Sequence, residues 1–222
     1  NRVESNSFFA TDKDVTRINT ISNPFPIAEG DLLYVINRGV KQEHRGIEVD
    51  VQAKPLYNLE VNGFASIGDW TYSGNAIEET RNEERNLLKV DVKDLDGGKV
   101  GNAAQTTFGL GAKYKILPNL SVDANYRYFQ DLFANRQEKE NLELPSYQVV
   151  DAGVSYRLNL TASNALSFRF NVNNVFDTEY ISQSNTAIKA TPGSNTYKGI
   201  DTANQVYFGF GRTWNASIKF SF

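Results

Sequence analysis

Seven segments of this chain alternate apolar with polar residues, and a period of two is what a β-strand turns into one oily and one wet face. From Thr107 to Ile116, the residues Phe108, Leu110, Ala112, Tyr114 and Ile116 share one parity; Thr107, Gly109, Gly111, Lys113 and Lys115 share the other. Leu120, Val122, Ala124, Tyr126 and Tyr128 oppose Ser121, Asp123, Asn125 and Arg127 in the same way. Val150, Ala152, Val154, Tyr156 and Leu158 oppose Asp151, Gly153, Ser155 and Arg157, and Leu166, Phe168, Phe170 and Val172 oppose Ser167, Arg169, Asn171 and Asn173. The other three segments run Ile47 to Lys54, Leu59 to Ile67 and Thr213 to Phe222.

Short and long links alternate between these strands. Pro55-Leu56-Tyr57-Asn58, Leu117-Pro118-Asn119 and a polar stretch holding Ser163-Asn164 read as tight turns. The other links run roughly from Ser73 to Thr106, Asp131 to Ser146 and Phe176 to Tyr207, and are rich in Gly, Asn, Asp, Glu and Thr. The predicted fold is all-β, an antiparallel up-and-down sheet with turns at one end and long loops at the other, as in outer-membrane barrels. Among the first forty residues, Arg2 to Phe9 reads as the upper part of a rising strand, and Leu32 to Arg38 as a short strand or an ordered loop. The charge run Glu78 to Arg85 reads as a solvated loop face rather than a helical turn. No internal repeat beyond the hairpin and no dividing linker is evident.

Composition removes several classes of function. The net charge is −3 with both signs interspersed, which lacks the basic footprint of a nucleic-acid binder. There is no cysteine, hence no disulfide framework, thiolate metal site or cysteine nucleophile. His44 is the only histidine, so a multi-histidine metal site cannot be built, and no nucleophile elbow accompanies it. The reading is of a protein that is not an enzyme and needs no cofactor. Without methionine or a signal-like start at Asn1, the chain is expected to be a mature or partial one. No stretch reaches the run of about 18 apolar residues of a spanning helix, and a mean hydropathy of −0.45 hides spanning strands because only alternate residues meet lipid.

A soluble sandwich also alternates, so the kind of residue on each face decides. The apolar parity mixes small Ala with Tyr, Trp and Phe near strand ends, which suits lipid contact and interfacial aromatic belts. The other parity carries Glu48, Asp50, Lys54, Lys113, Lys115, Asp123, Arg127, Asp151, Arg157, Arg169 and Lys219, which suits a wet lumen. Strands of about 9–11 residues tilted near 45° cross the hydrocarbon layer. Seven or eight strands with small lumen residues (Gly109, Gly111, Gly153) read as part of a larger wall, because an open edge in lipid costs several kcal/mol per unpaired group and must be completed.

Two segments resemble the TonB-dependent outer-membrane receptors. Asn171-Val172-Asn173-Asn174-Val175-Phe176-Asp177-Thr178-Glu179-Tyr180 is similar to that family's Asn-x-x-Asn-Leu-Phe-Asp-x-x-Tyr signature, with Asn171, Asn174, Phe176, Asp177 and Tyr180 in place and Val175 for the commoner Leu. Gly209 to Phe222 resembles the family's last strand, and His44-Arg45-Gly46-Ile47-Glu48-Val49-Asp50-Val51 a strand leading into a periplasmic turn. The likeness spans about residue 40 to the end. Gly101 to Thr107 and Tyr207 to Trp214 look most like receptors from Bacteroidota.

The resemblance implies a barrel of about 22 strands plugged by an N-terminal domain, of which residues 1–222 would be the last third (about 7–8 strands), with plug and TonB box outside them. It implies outer-membrane lipid, TonB, the barrel-assembly machinery and a surface lipoprotein as partners. The expected function is import of a scarce, bulky nutrient (ferric siderophore, vitamin, glycan or peptide). Trp214, Phe220 and Phe222 read as the assembly signal, and equally as interfacial aromatics. Asn173, Asn174 and Asp177 read as turn formers through side-chain to backbone hydrogen bonds. Asp91, Asp94 and Asp96 before Gly97-Gly98 depart from calcium-loop spacing and read as a solvated turn. Loop aromatics (Trp70, Tyr72, Phe129, Phe133, Tyr197, Tyr207, Phe208) divide between vestibule and girdle, leaving substrate contacts unassigned. The alternatives are a self-contained small outer-membrane barrel with a structural or adhesive role, and a soluble β-sheet interaction module.

Overall fold

The computed structural model describes residues 2–9 as backbone, 32–161 and 163–222. Among them there is no helix and there are sixteen strands: β1 Arg2–Phe9, β2 Leu33–Leu56, β3 Leu59–Tyr72, β4 Asn75–Arg81, β5 Leu87–Asp94, β6 Thr106–Leu117, β7 Leu120–Gln130, β8 Leu132–Phe133, β9 Glu143–Leu144, β10 Tyr147–Asn159, β11 Ala165–Asn173, β12 Ile181–Ser184, β13 Thr196–Tyr197, β14 Ile200–Asp201, β15 Val206–Phe208 and β16 Thr213–Ser221. Two compact units interleave along the chain, one from residues 1–44, 70–100 and 137–141, the other from 45–69, 101–136 and 142–222. No linker separates them, because β2 and β3 each contribute to both.

The second unit is an antiparallel sheet ordered β16-β11-β10-β7-β6-β3-β2. Its register carries each parity across the sheet in unbroken rows. Val61, Ala112, Ala124, Ala152, Val172 and Trp214 are successive cross-strand partners, as are Leu59, Tyr114, Val122, Val154, Phe170 and Ala216. A slip of one residue in any ladder would mix the two faces. The apolar face is bare: Ile47 is 72 % exposed, Leu110 65 % and Ile218 69 %. A sandwich would have dried these side chains; here they are left for another apolar medium. Among the described residues β16 is paired on one edge only, to β11.

The short links are shorter than the sequence suggested. Pro55 and Leu56 end β2 and only Tyr57-Asn58 turn; Pro118-Asn119 join β6 to β7. At the third, Thr161 Oγ1 accepts the Asn164 N–H (3.0 Å).

In the first unit, β2 pairs with β1 on one edge and β4 on the other, and β4 pairs with β5. Arg2–Phe9 is a strand, as expected. Of the segment Leu32 to Arg38, all but Leu32 belongs to the single long β2, its alternation hidden by Gly39 at positive φ and by the polar run after it. The solvated-loop reading of Glu78 to Arg85 is corrected: residues 75–81 form β4, and only Asn82 to Asn86 turn, with Asn82 Oδ1 accepting the Asn86 N–H (2.8 Å). The charges that hid the strand are paired, Glu78 with Lys93 on β5 (3.2 Å), and Glu79 with Arg38 on β2 (3.3 Å) and with Arg81 along β4 itself (2.8 Å). Val40, Tyr72, Ala76, Leu95 and Val100 form this unit's core.

Candidate functional site

The polar face of the second unit is a cross-linked wall. Arg169 on β11 reaches diagonally over Gly153 on β10 to Asp123 on β7. Its guanidinium donates to both carboxylate oxygens, one at 2.8 Å, while its Nε donates to Asn171 Oδ1 (2.6 Å) and Nη1 to Ser155 Oγ (2.8 Å). Such a two-pronged pair is stronger than neutral hydrogen bonds and fixes geometry. The path exists because residue 153 has no side chain: a Cβ there would lie 2.3 Å from Arg169 Nη2. Gly109 and Gly111 are likewise covered, by the Phe64 ring and by Asn62 and Asn125. These glycines therefore admit neighbouring side chains of the same sheet rather than leaving lumen space. Gly153→Val is expected to cost about 1–2 kcal/mol by displacing Arg169 from Asp123. In the double mutant with Arg169→Ser the second change should then add little, a coupling that a double-mutant cycle measures.

The family-signature residues close a clasp at the loop end of this sheet. Asp151 accepts from Arg127 Nη2 (2.5 Å) and from the Asn174 N–H (2.9 Å), tying the strand end to the wall. Asn174, buried and at φ 50°, binds both limbs of the last loop: its Oδ1 accepts the Thr178 N–H (2.8 Å), and its Nδ2 donates to Thr178 O (3.0 Å) and Phe210 O (3.2 Å). Asp177 Oδ1 accepts the Arg212 N–H (2.7 Å). Tyr180 stacks on Tyr147 (ring centroids 4.0 Å), which stacks on Phe129 (4.8 Å), and lies against Gly209, where a Cβ would meet the ring at 1.9 Å. Asn171 is a strand residue that bonds Asn215 (2.8 Å), and Phe176 is 73 % exposed. Asn174 does form the turn through a side-chain bond to backbone, whereas the Asp177 carboxylate ties the turn to the other limb at the Arg212 N–H. Asn173 differs: it ends β11 and its Nδ2 donates to Thr213 Oγ1 across the sheet (3.2 Å).

Beyond the clasp the loops have a core of their own, Leu132, Ala134, Leu142, Leu144, Ile181 and Ile200, with Tyr147, Tyr197 and Val206 packed on it. Sequence inspection gave no hint of it, since its members come as short pieces scattered through three stretches of polar loop. Tyr197 meets Phe208 edge-on (5.6 Å) and its hydroxyl donates to Glu179 (3.1 Å); partial desolvation and that carboxylate hold the phenol above its usual range. Between these limbs lies an open pocket of about 390 Å³ lined by Asp177, Thr178, Glu179, Tyr197, Phe208, Gly209 and Gly211. Tyr207 hydroxyl accepts from Asn185 Nδ2 (3.2 Å), and Phe133 lies in the short strand β8. Of the remaining aromatics singled out, Tyr72 is a core residue of the first unit and Trp70 stacks on His44 (5.2 Å). Trp214 stands at the loop end of β16 and Phe220 and Phe222 at the other, all on the apolar parity and well exposed, Phe222 at 95 %.

The three aspartates before Gly97-Gly98 are in use within the first unit. Asp91 pairs with Lys89; Asp94 accepts from Lys139 Nζ (2.6 Å) and from the Asp96 N–H (3.0 Å); Asp96 accepts the Gly74 N–H (2.8 Å). Lys139 and the Asp96 amide hold the Asp94 carboxyl below its usual 3.8, and Asp94 raises the Lys139 ammonium above 10.5. The lowered acid contributes above its ordinary pKa and loses that contribution as pH falls through the folded value; the raised base contributes below its ordinary pKa and loses it as pH rises through the folded value. The contact is therefore whole across the neutral range, and carboxyl NMR should find an Asp94 midpoint below 3.8 that Lys139→Gln moves upward.

Comparison with known proteins agrees with this architecture. The family model described as "TonB dependent receptor-like, beta-barrel" matches residues 5–175, which is more than half of the chain; Phe176, Asp177, Tyr180 and the last strand lie beyond that match. Ferrioxamine B receptors of Salmonella typhimurium, from strains SL1344 and LT2, are each 32 % identical over 84 residues, covering 38 % of this chain and 12 % of theirs. The ferric-catecholate import receptor Fiu of E. coli K12, in its open form, aligns in structure with a TM-score of 0.39 and 17 % identity, covering 89 % of this chain and 29 % of that one. The chain thus spans under a third of each of these receptors. The ferrioxamine B receptors come from Salmonella, so the likeness to Bacteroidota gains no support from them. This chain belongs to the TonB-dependent receptor-like β-barrel family, proteins of the bacterial outer membrane that are receptors and not enzymes.

Proposed function

We propose that residues 1–222 are the C-terminal third of the wall of a TonB-dependent transporter that imports a bulky nutrient, foremost a ferric siderophore. The observation that carries this reading is the pairing of one bare apolar face with one cross-linked ionic face on a sheet whose last strand, among the described residues, is paired on one edge only, most of the sheet lying inside the family match. Such a sheet must be continued by further strands before it rests in lipid. A ferrioxamine B receptor among the relatives makes ferrioxamine B the first substrate to test, ahead of vitamins, glycans and peptides.

In this reading the loops take up substrate at the outer surface, and TonB, engaging a segment elsewhere in the protein, rearranges a plug so that a path opens along the ionic wall. The chemistry is binding and gating, with no covalent step. Asn174, Asp177 and Tyr180 hold the last loop in its receiving shape, and Trp214, Phe220 and Phe222 present the last strand to the barrel-assembly machinery. A surface lipoprotein over the loops would accompany glycan or peptide import.

The test is uptake of radiolabelled substrate by cells carrying the full-length gene or its deletion, with iron-labelled ferrioxamine B and ferric catecholate, cobalt-labelled cobalamin and a carbon-labelled oligosaccharide as substrates. The reading expects saturable uptake of one of them that is abolished by deletion and by loss of TonB. Uptake of all four unchanged in the deletion would contradict it. Refolding of residues 1–222 alone in detergent, with heat-modifiable migration, would favour the small self-contained barrel instead.

A further inference from the structure

Beyond the clasp the chain forms three two-stranded ladders, β8 with β9, β12 with β15 and β13 with β14. The first and third hold two residue pairs each, and the second is interrupted between Ile181 and Gln183. An isolated two-stranded hairpin is marginal in water at best, and these are about as short as a ladder can be. What holds them is shared. Leu132 and Leu144, partners across β8 and β9, are 3 % and 2 % exposed and Ala134 is fully buried, in one cluster with Ile181 and Ile200 of the last loop. Ala104 of a third stretch packs on the same cluster.

The backbone is cross-linked in the same way. The Asn135 N–H donates to the carbonyl of the fully buried Ser184 (2.7 Å), joining the two loops, and the Ala134 N–H donates to Leu142 O within one of them (2.8 Å). At the base, the Asn102 N–H donates to Phe133 O and the Gln105 N–H to Asp131 O (both 3.1 Å), and a Cβ at Gly101 would lie 1.9 Å from Ala134 O. Inside the last loop, the buried Asn204 accepts the Ile188 N–H on Oδ1 (2.8 Å) and donates from Nδ2 to Ile188 O (2.8 Å) and Asp201 O (3.0 Å). Withdrawing either loop would wet the leucines or isoleucines of the other and take the Asn135 donor from Ser184.

We propose that residues 101–105, 131–136, 142–147 and 181–206 are one cooperative body, a rigid head on the wall whose two long loops open only together. Ligand-binding loops are drawn from the least stable parts of a fold and commonly open alone at small cost; this pair is the opposite case. Tyr197 carries the consequence outward, because it packs on the head's core and also lines the pocket of about 390 Å³ beside Phe208. The shape of that pocket is thus set from Leu132 and Leu144, which do not line it, as well as from the last loop itself. The inference uses contacts made within residues 101–206 and holds whatever the receptor carries.

Hydrogen exchange of the full-length receptor in nanodiscs, read by mass spectrometry, tests this. In the unaltered protein the hydrogen-bonded amides of Ala134 and Asn135 in one loop and Asn185 in the other should share one protection factor to within about threefold, and lose it in parallel as urea is raised. Leu144→Ala and Ile200→Ala place one cavity in each loop, and either should speed exchange at least about 30-fold in both loops. The amides of β7 and β10 should stay within about twofold of their unaltered rates. Leu144→Ile keeps the side-chain volume and should leave both loops close to the unaltered pattern. Acceleration confined to the loop that carries the substitution overturns the proposal, as does protection in the unaltered protein that differs between the loops by more than about threefold. Equal acceleration in β7 and β10 also overturns it, because the loops would then belong to the unfolding of the whole wall. Where a variant fails to assemble, shown by lost heat-modifiable migration, the comparison of the two loops in the unaltered receptor decides alone.

Discussion

Arginine in place of Leu110 is expected to destabilise the wall by about 2–4 kcal/mol, the depth-dependent cost of a cation on a lipid-facing strand position. Leu110 sits in the middle of β6, partnered by Gly63 and Tyr126 on the apolar parity, and no side chain of the sheet shields it. The replacement has no carboxylate on that face to pair with. One residue of parity away the outcome reverses: Asn125→Arg faces Gly111 and Asp151 across its ladders, on the side where the wall is already ionic, and should cost under about 1 kcal/mol. Denaturant unfolding of the full-length receptor in phospholipid vesicles, read by heat-modifiable migration, measures both.

The second large effect is at the clasp. Asn174→Leu removes an acceptor for the Thr178 N–H and a donor shared by Thr178 O and Phe210 O, from a side chain only 5 % exposed. Each backbone group left buried without a partner costs about 1–3 kcal/mol. A branched side chain also sits poorly at φ 50°, where asparagine is tolerated. The combined loss should reach about 3 kcal/mol or more, concentrated where residues 174–180 meet 207–212 and sparing the strands. Hydrogen exchange should show those two segments opening together while β7 and β10 stay protected. Asn174→Asp keeps the acceptor and is expected to lose less. If uptake follows the clasp, substrate affinity falls in the same order.

The wall strands were legible because each carries one apolar and one polar face, which imprints parity on the residues of Thr107 to Ile116, Leu120 to Tyr128 and Val150 to Leu158. What was lost lay where that condition lapses. β4 and β5 carry charges on both faces, Glu78 to Lys93 and Glu79 to Arg81, so their alternation is electrostatic and a hydrophobic count passes over it. The loop core around Leu132, Leu144, Ile181 and Ile200 is assembled from residues up to 68 positions apart, in pieces too short to show a period. The signature residues were visible as a motif and their turn-forming role followed from residue type. That Asn174 reaches across to Phe210 O needed the fold, because the two limbs are 36 residues apart. The glycines were seen on the correct face but for an incomplete reason: Gly153 is small so that Arg169 can cross it.

Spin labels placed singly at Leu110, Val122, Val154 and Phe168, and at Lys113, Arg127 and Arg157, in the full-length receptor reconstituted into lipid, test the assignment of the two faces most directly. Collision with dissolved oxygen should dominate at the first four positions and collision with a water-soluble nickel chelate at the last three, alternating residue by residue along each strand. Nickel-accessible labels at Leu110 and Phe168, with oxygen-accessible labels at Lys113 and Arg157, would contradict the account.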